Sequence, residues 1–181
     1  MGLDSYGTVI INQKRVIIIN FFQDMKSNNN GKEVTKEFEK CSLAPYLCPA
    51  KVPTIGWGNT FYPNGKKVTM RDKAITQAYA DQIFDFVYSL FEKDVSSLIK
   101  TKVNQNQFNA LVDFAYNLGS DIDADDIPEG LGDSTLLKKI NKNPNDPTIS
   151  NEFMKWNKSK GQVMNGLTRR RKANAEMYFK K

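Results

Sequence analysis

Three prolines, Pro45, Pro49 and Pro53, fall close together in a chain that is otherwise patterned for helices, and no helix can run through them. The residues that follow, Thr54-Ile55-Gly56-Trp57-Gly58-Asn59-Thr60, alternate like a strand with glycines, and Pro63-Asn64-Gly65 supplies a turn. A small, twisted sheet of two or three strands is expected here. Before it, Val34, Phe38 and Cys41 recur at helical spacing, so a short helix brings Glu37 or Glu39 to its C-terminal end. After it, Thr69-Met70-Arg71-Asp72 reads as a capping box with Asp in the Glu position. That box opens a long helix with Ile75, Tyr79, Ile83, Phe86, Val87, Leu90 and Phe91 on one face. Phe108, Leu111, Val112, Ala115 and Leu118 repeat the pattern, and Gly119 is placed to end that helix in the left-handed conformation. Asp133 or Ser134 caps a further helix, and the last ones carry Phe153 and Trp156, then Leu167, Ala173 and Tyr178. The order is a helix, a small sheet and then many helices, without βαβ repetition or internal repeats, which defines an α+β, mostly helical chain.

Residues 1–30 read as an N-terminal extension. Two β-branched runs, Thr8 to Ile11 and Val16 to Ile19, flank the polar Asn12-Gln13-Lys14-Arg15, a hairpin pattern. The polar cluster from Lys26 to Lys32 reads as a loop and marks the boundary with a body over 31–181. A chain of 181 residues with 40% hydrophobic content suits one soluble domain with a sizeable core. Its longest N-terminal apolar run, Val16 to Phe22, is far short of the roughly 18 to 20 residues a membrane span needs. The first residues carry Asp4 and no base before Lys14, so no export signal is visible.

The chain contains no histidine, which removes Ser-His-Asp and Cys-His catalysis and most ordinary zinc sites. Chemistry must rest on carboxylates. Cys41 and Cys48 are too few for a disulfide framework; they are reduced thiols, or one optional bridge that would shut a site built on Cys48. From Lys155 to Lys181 there are nine Lys or Arg against Glu176 alone, a local charge of +8 in a chain whose net charge is +6. Such a face suits a polyanionic partner, or is a solvated helix surface. Asp121-Ile122-Asp123-Ala124-Asp125-Asp126 superficially suggests a calcium loop, but Asp126 replaces the required glycine and Gly132 stands where the bidentate Glu belongs. It reads as a solvated acidic loop, and no metal or other cofactor is implied.

Glu39, at a helix end before a turn-rich sheet, is where a carboxyl is partly desolvated and its pKa raised enough to protonate a leaving oxygen. A glycosidase needs such an acid, and on the other side of the bond either a nucleophile or a group that activates water. Cys48 and Thr54, on the incoming loop and strand, fill that side. Glu39, eight residues, Cys48, five residues and Thr54 reproduce without a gap the active-site spacing of the phage-type lysozymes, glycoside hydrolase family 24, which this stretch resembles. Ala44-Pro45-Tyr46, Thr54 to Gly58, the block Gln107 to Gly119, Ser134 to Leu137 and Gly166-Leu167-Thr168-Arg169-Arg170-Arg171 extend the resemblance over residues 34–181.

The resemblance implies a lysozyme-like fold of two lobes, with a small antiparallel sheet, a cleft and a long helix joining the lobes. It implies cleavage of the β-1,4 bond between N-acetylmuramic acid and N-acetylglucosamine of peptidoglycan, as in phage-mediated host lysis. By the same carry-over Glu39 is the general acid, Thr54 holds the attacking water, and Cys48 stands where many relatives have Asp, positioning water or substrate more than removing a proton. Arg169 aligns with the arginine that reaches the cleft and pairs with the acid. Asn117, Tyr46 and Trp57 are further substrate-binding candidates, the rings by stacking on sugar faces. Asn59 departs from the family, where histidine is common. The expected partner is the glycan strand, met by a monomer without nucleic acid or membrane insertion, made in the host cytoplasm and acting on the wall after release. A lytic transglycosylase and an inactive wall-binding module on the same scaffold are the alternatives. The Thr54 spacing argues against the first, and the intact Glu39 and Thr54 against the second.

Overall fold

The computed structural model describes residues 8–11, 14–17, 25–123, 125 and 127–181. Strand β1 (Thr8–Ile11) pairs antiparallel with β2 (Lys14–Ile17), matching Thr8 to Ile17 and Ile11 to Lys14, so that Lys14 and Arg15, read from the sequence as part of the connecting turn, lie in the second strand. Residues 18 and 19 of the second predicted run lie outside the described residues.

Helix α1 (Asn29–Glu39) starts inside the segment read as a loop. Asn28 is extended and its side-chain oxygen accepts from the Gly31 N–H, so an Asn-rich stretch that looks like a loop is a helix start. The same oxygen accepts from Asn109 Nδ2 at 2.8 Å, and Ser27 N–H donates to Glu92 at 2.7 Å. Both contacts seat residues 27 and 28 on the body. The helix ends at Glu39 because Lys40 takes a positive φ of 53°, which leaves Cys41 beyond it.

Strands β3 (Ser42–Leu47) and β4 (Pro53–Gly56) form the expected small antiparallel sheet, with Tyr46 opposite Thr54 and an irregularity between Ser42 and Tyr46. Bridges from Ile55 to Asn59 and from Phe61 to Lys67 extend it. The long helix α2 (Gln77–Leu98) begins five residues after Asp72, not at the predicted box. Asp72 does accept from the Thr69 backbone and hydroxyl, but also from Tyr62 and Lys66, and these bonds close a turn. The Ile75 N–H then bonds to Leu43 O of β3, holding the chain out of a helix until Thr76 caps α2.

Helix α3 (Gln105–Leu118) opens on a complete Asn104–Gln107 capping box, and its residues 107–115 are all buried. Gly119 ends it at φ 108° and ψ 154°, a positive φ but an extended ψ instead of the left-handed cap expected. Ser134 caps α4 (Thr135–Lys142), followed by α5 (Ile149–Met154), a short hairpin β5 (Lys158–Ser159) with β6 (Gln162–Val163), and α6 (Asn165–Phe179). That last hairpin has no sequence signal beyond Lys160-Gly161.

Two apolar cores result. The smaller, Ile55, Tyr62, Val68, Ile83 and Val87, lies between the sheet and the first half of α2. The larger gathers the second half of α2 with α3 to α6, around Phe108, Leu111, Phe114, Leu136, Ile140, Phe153 and Tyr178. The 22 residues of α2, about 33 Å at 1.5 Å per residue, run from one core to the other. Among the described residues no helix is long and apolar enough to cross a membrane.

Candidate active site

Glu39 is the last residue of α1, so its carboxyl sits at the negative end of the helix, among unpaired carbonyls that disfavour its ionised form. Only 19% of the side chain is exposed. Burial raises its pKa above the ordinary carboxylate value; Arg170 opposes the rise and Asp113 adds to it. One oxygen, Oε1, accepts from Arg170 Nη1 at 2.5 Å. The other, Oε2, lies over Gly58, where an added Cβ would sit 2.9 Å away. Gly58 has φ 87° in any case, so both the backbone and the carboxylate require glycine.

The arginine that pairs with Glu39 is therefore Arg170, and Arg169 is exposed on the outside of α6. One residue along a helix is a rotation of about 100°, which turns Arg169 away when Arg170 points inward. Arg170 also grips Asp113 of α3 side-on, Nε to Oδ2 at 3.2 Å and Nη2 to Oδ1 at 2.7 Å, and Asn174 Nδ2 closes on Oδ2 at 2.6 Å. The Arg170 guanidinium stands over the Phe38 ring at 5.5 Å. Burial works against Asp113 as an anion, but Arg170 and Asn174 hold its pKa below the ordinary carboxylate range. Asn117 accepts from Arg171 Nη2 at 2.8 Å, and the fully buried Arg171 lies over the Phe114 ring at 4.9 Å.

Thr54 is buried and faces Tyr46 across the β3–β4 ladder; its hydroxyl donates to Val52 O at 2.9 Å. Cys48 occupies the connecting turn, its N–H bonded to Val52 O and its carbonyl accepting from Lys51. The backbone N–H groups of Val52 and Ala50 draw the Cys48 thiol below its ordinary pKa, so ionisation is assisted here. Tyr46 is half-buried, and burial together with the charges of Glu39 and Cys48 pushes its phenol up.

The optional bridge is ruled out by this geometry. Cys41 and Cys48 are free thiols flanking the extended β3, roughly 20 Å apart at about 3.3 Å per residue, where a disulfide needs less than about 7 Å. Trp57 is also committed elsewhere. Its Nε1 donates to Asp81 at 2.9 Å, the Lys36 ammonium lies 5.1 Å over its ring, and Phe84 packs edge-on. These contacts tie the ring to Lys36 of α1 and to Asp81 and Phe84 of α2.

Asn59, in the position where histidine is common, is buried and ties the lobes with an amide. Its Nδ2 donates to the Tyr116 hydroxyl at 3.1 Å, and that hydroxyl donates to Trp57 O at 2.8 Å. In the acidic loop, Asp121 accepts from the N–H groups of Glu129, Gly130 and Asp133, and an added Cβ at Gly132 would collide with the Asp121 carbonyl. The carboxylates of Asp121, Asp123 and Asp133 come close together, but Asp121 is engaged in closing the loop.

A mostly helical fold in two lobes, with a buried-side glutamate at the end of α1 facing a small sheet across from an arginine of the last helix, is that of a lysozyme-like protein. The phage lysozyme family model matches residues 36–174, and the chain belongs to that family. It is 33% identical over 157 residues to an endolysin of Bacillus phage B103, covering 86% of this chain and 54% of that protein. The chain therefore spans about half the length of the Bacillus phage endolysins it matches. Among solved structures, an endolysin from Escherichia coli O157:H7 phage FAHEc1 superposes with a TM-score of 0.73 at 33% identity, over 86% of this chain and 94% of that one. The muramidase domain of SpmX from Asticaccaulis excentricus does so with a TM-score of 0.69 at 27% identity, over 86% and 99%.

Of the residues singled out in the sequence, Thr54 stands opposite Tyr46 in the β3–β4 ladder with Cys48 on the adjoining turn, Glu39 ends α1 bonded to Arg170, and Asn117 is bonded to the buried Arg171. Asp113, Arg170, Asn174, Tyr116 and Gly58 were not singled out. Asp113 had a visible signal, a lone carboxylate within the apolar run of α3 from Phe108 to Ala115.

Proposed function

We propose that the chain hydrolyses the β-1,4 bond between N-acetylmuramic acid and N-acetylglucosamine of peptidoglycan. The observation that carries this reading is Glu39: a mostly buried carboxyl with a raised pKa, at the end of α1, bonded to Arg170 and seated against Gly58. In its protonated form, which burial favours, it gives its proton to the glycosidic oxygen as the bond to C1 opens. Thr54 has its own hydroxyl proton bound by Val52, so towards the cleft it offers a lone pair. That lone pair accepts one O–H of a water and turns the water's oxygen towards C1, supporting attack with inversion; as the new C1–O bond forms the water gives up one proton to the surrounding solvent, and Glu39, left as the carboxylate, is reprotonated from solvent. Cys48, beside Thr54, helps position that water. The rim of exposed bases on α6 and the β5–β6 hairpin, Arg169 included, attracts the carboxylate-rich and phosphate-rich wall. The chain acts on the wall of the phage's host after synthesis in the host cytoplasm, as a monomer and without nucleic acid.

Digestion of purified peptidoglycan by Glu39→Gln tests this. The variant folds and loses at least about 100-fold in rate, the scale of a lost general acid; a folded variant with full activity would remove Glu39 from the chemistry. Cys48→Ala lowers turnover while leaving peptidoglycan binding intact. Unchanged turnover would dismiss the water-positioning role of Cys48.

A further inference from the structure

Asp113 is a fully buried carboxylate with no place in the proton transfer just described, yet it holds the only guanidinium that touches Glu39 among the described residues. The Arg170 fork has five N–H groups in one plane. Nε and Nη2 are spent on Asp113, with Asn174 fixing the carboxylate from the other side, and Nη1 is then aimed along the remaining edge at Glu39 Oε1. From this arrangement we infer that Asp113 is a positioning residue for catalysis: by aligning Arg170 and neutralising its charge, it lets Glu39 be hydrogen-bonded and oriented without being held ionised. This rests on the reading of Glu39 as the general acid.

Charged and titratable groups from three elements act on Glu39. Arg170 and Arg171, both on α6, favour its ionised form; Asp113 on α3, and the phenols Tyr116 on α3 and Tyr46 on β3 when ionised, oppose it, with the Cys48 sulfur near Tyr46. A buried guanidinium within hydrogen-bond distance would by itself pull a carboxyl well below its ordinary pKa and leave no proton to donate. With Asp113 ionised on the other edge, the Asp113–Arg170 pair is close to neutral from the position of Glu39, and burial decides the direction. An Asn in place of Asp113 keeps the size and one acceptor but removes the charge.

The test is the pH profile of kcat/KM for peptidoglycan digestion by the wild type, Asp113→Asn and Asp113→Glu. Because activity requires protonated Glu39, the basic limb of the profile follows the Glu39 pKa. Asp113→Asn moves that limb down by about one pH unit or more, while Asp113→Glu, which keeps the charge, leaves the limb in place even where its rate is lower. A uniform loss of rate in Asp113→Asn with no displacement of the limb would reduce Asp113 to a structural anchor and overturn the inference. Carboxyl carbon titration of the wild type by NMR decides the matter even where the variants do not fold. Asp113 stays ionised between pH 4 and 8 while Glu39 titrates above it; an Asp113 that takes up its proton within that range would overturn the inference. Failure of the underlying reading is seen separately, as a folded Glu39→Gln that still digests peptidoglycan.

Discussion

Gly58 shows how closely the site is fitted around one side chain. Gly58→Ala must place a methyl group 2.9 Å from Glu39 Oε2 at a φ of 87°, so digestion should fall at least about tenfold and thermal stability should drop. A Gly58→Ala protein with wild-type rate would mean that Glu39 does not work from this position. Glu39 itself has a stability cost with a definite sign. Its pKa is raised in the fold, so the favourable effect of its protonated form is complete below the unfolded value and is lost as pH rises through the folded value. Glu39→Gln should therefore melt at a higher temperature than the wild type near pH 7 and at the same temperature near pH 4, as calorimetry at the two pH values will show. At this scale a family spacing singled out Glu39 and Thr54, and the same resemblance named Arg169 where Arg170 pairs with Glu39. In a run of three arginines the choice depends on helix phase, and at about 100° per residue an uncertain helix start leaves the inward face undetermined. The ties of Trp57 to Asp81 and Lys36 were out of reach for a related reason, since both partners are distant from it in sequence.

Elements were more legible than residues. The apolar stripe of α3 and the cap at Ser134 are local signals that the sequence reading used, whereas the Asn104–Gln107 box, equally local, went unread. The start of α2 was displaced because Thr69 to Asp72 satisfies the capping pattern while Tyr62, Lys66 and the β3 carbonyl of Leu43 recruit the same stretch into a turn. Those partners come from outside the segment, and a local pattern cannot weigh them. The link between the sheet and the large core is equally non-local. Tyr116 of α3 joins Asn59 and the Trp57 carbonyl through one buried hydroxyl, so Tyr116→Phe should destabilise by about 1 to 3 kcal/mol in denaturant unfolding, since it strands an amide and a carbonyl. A loss below a few tenths of a kcal/mol would show that this link holds nothing together.

The whole molecule is two cores of unequal size strung on α2, with Glu39 at the end of α1 where the small sheet meets α3 and α6. Its stability should fall in acid. Asp113, Glu152, Asp81 and Asp72 all have folded pKa values below their ordinary ones, the last at about 2. Burial opposes this at Asp113 and Glu152, where Arg170 on the one hand, and Lys139 with Lys155 on the other, outweigh it. A depressed carboxylate contributes stability above its unfolded pKa and loses it as pH falls through the folded one, so the melting temperature should drop steeply between about pH 4 and pH 2. The central claim, that Glu39 delivers a proton while water attacks, is tested most directly by digesting peptidoglycan in water enriched in the heavy oxygen isotope and weighing the released sugar ends. The account predicts reducing N-acetylmuramic ends that carry one heavy oxygen, present with the wild type and absent with a folded Glu39→Gln. Anhydro ends without the label would contradict it, since the cut would then have been completed without water.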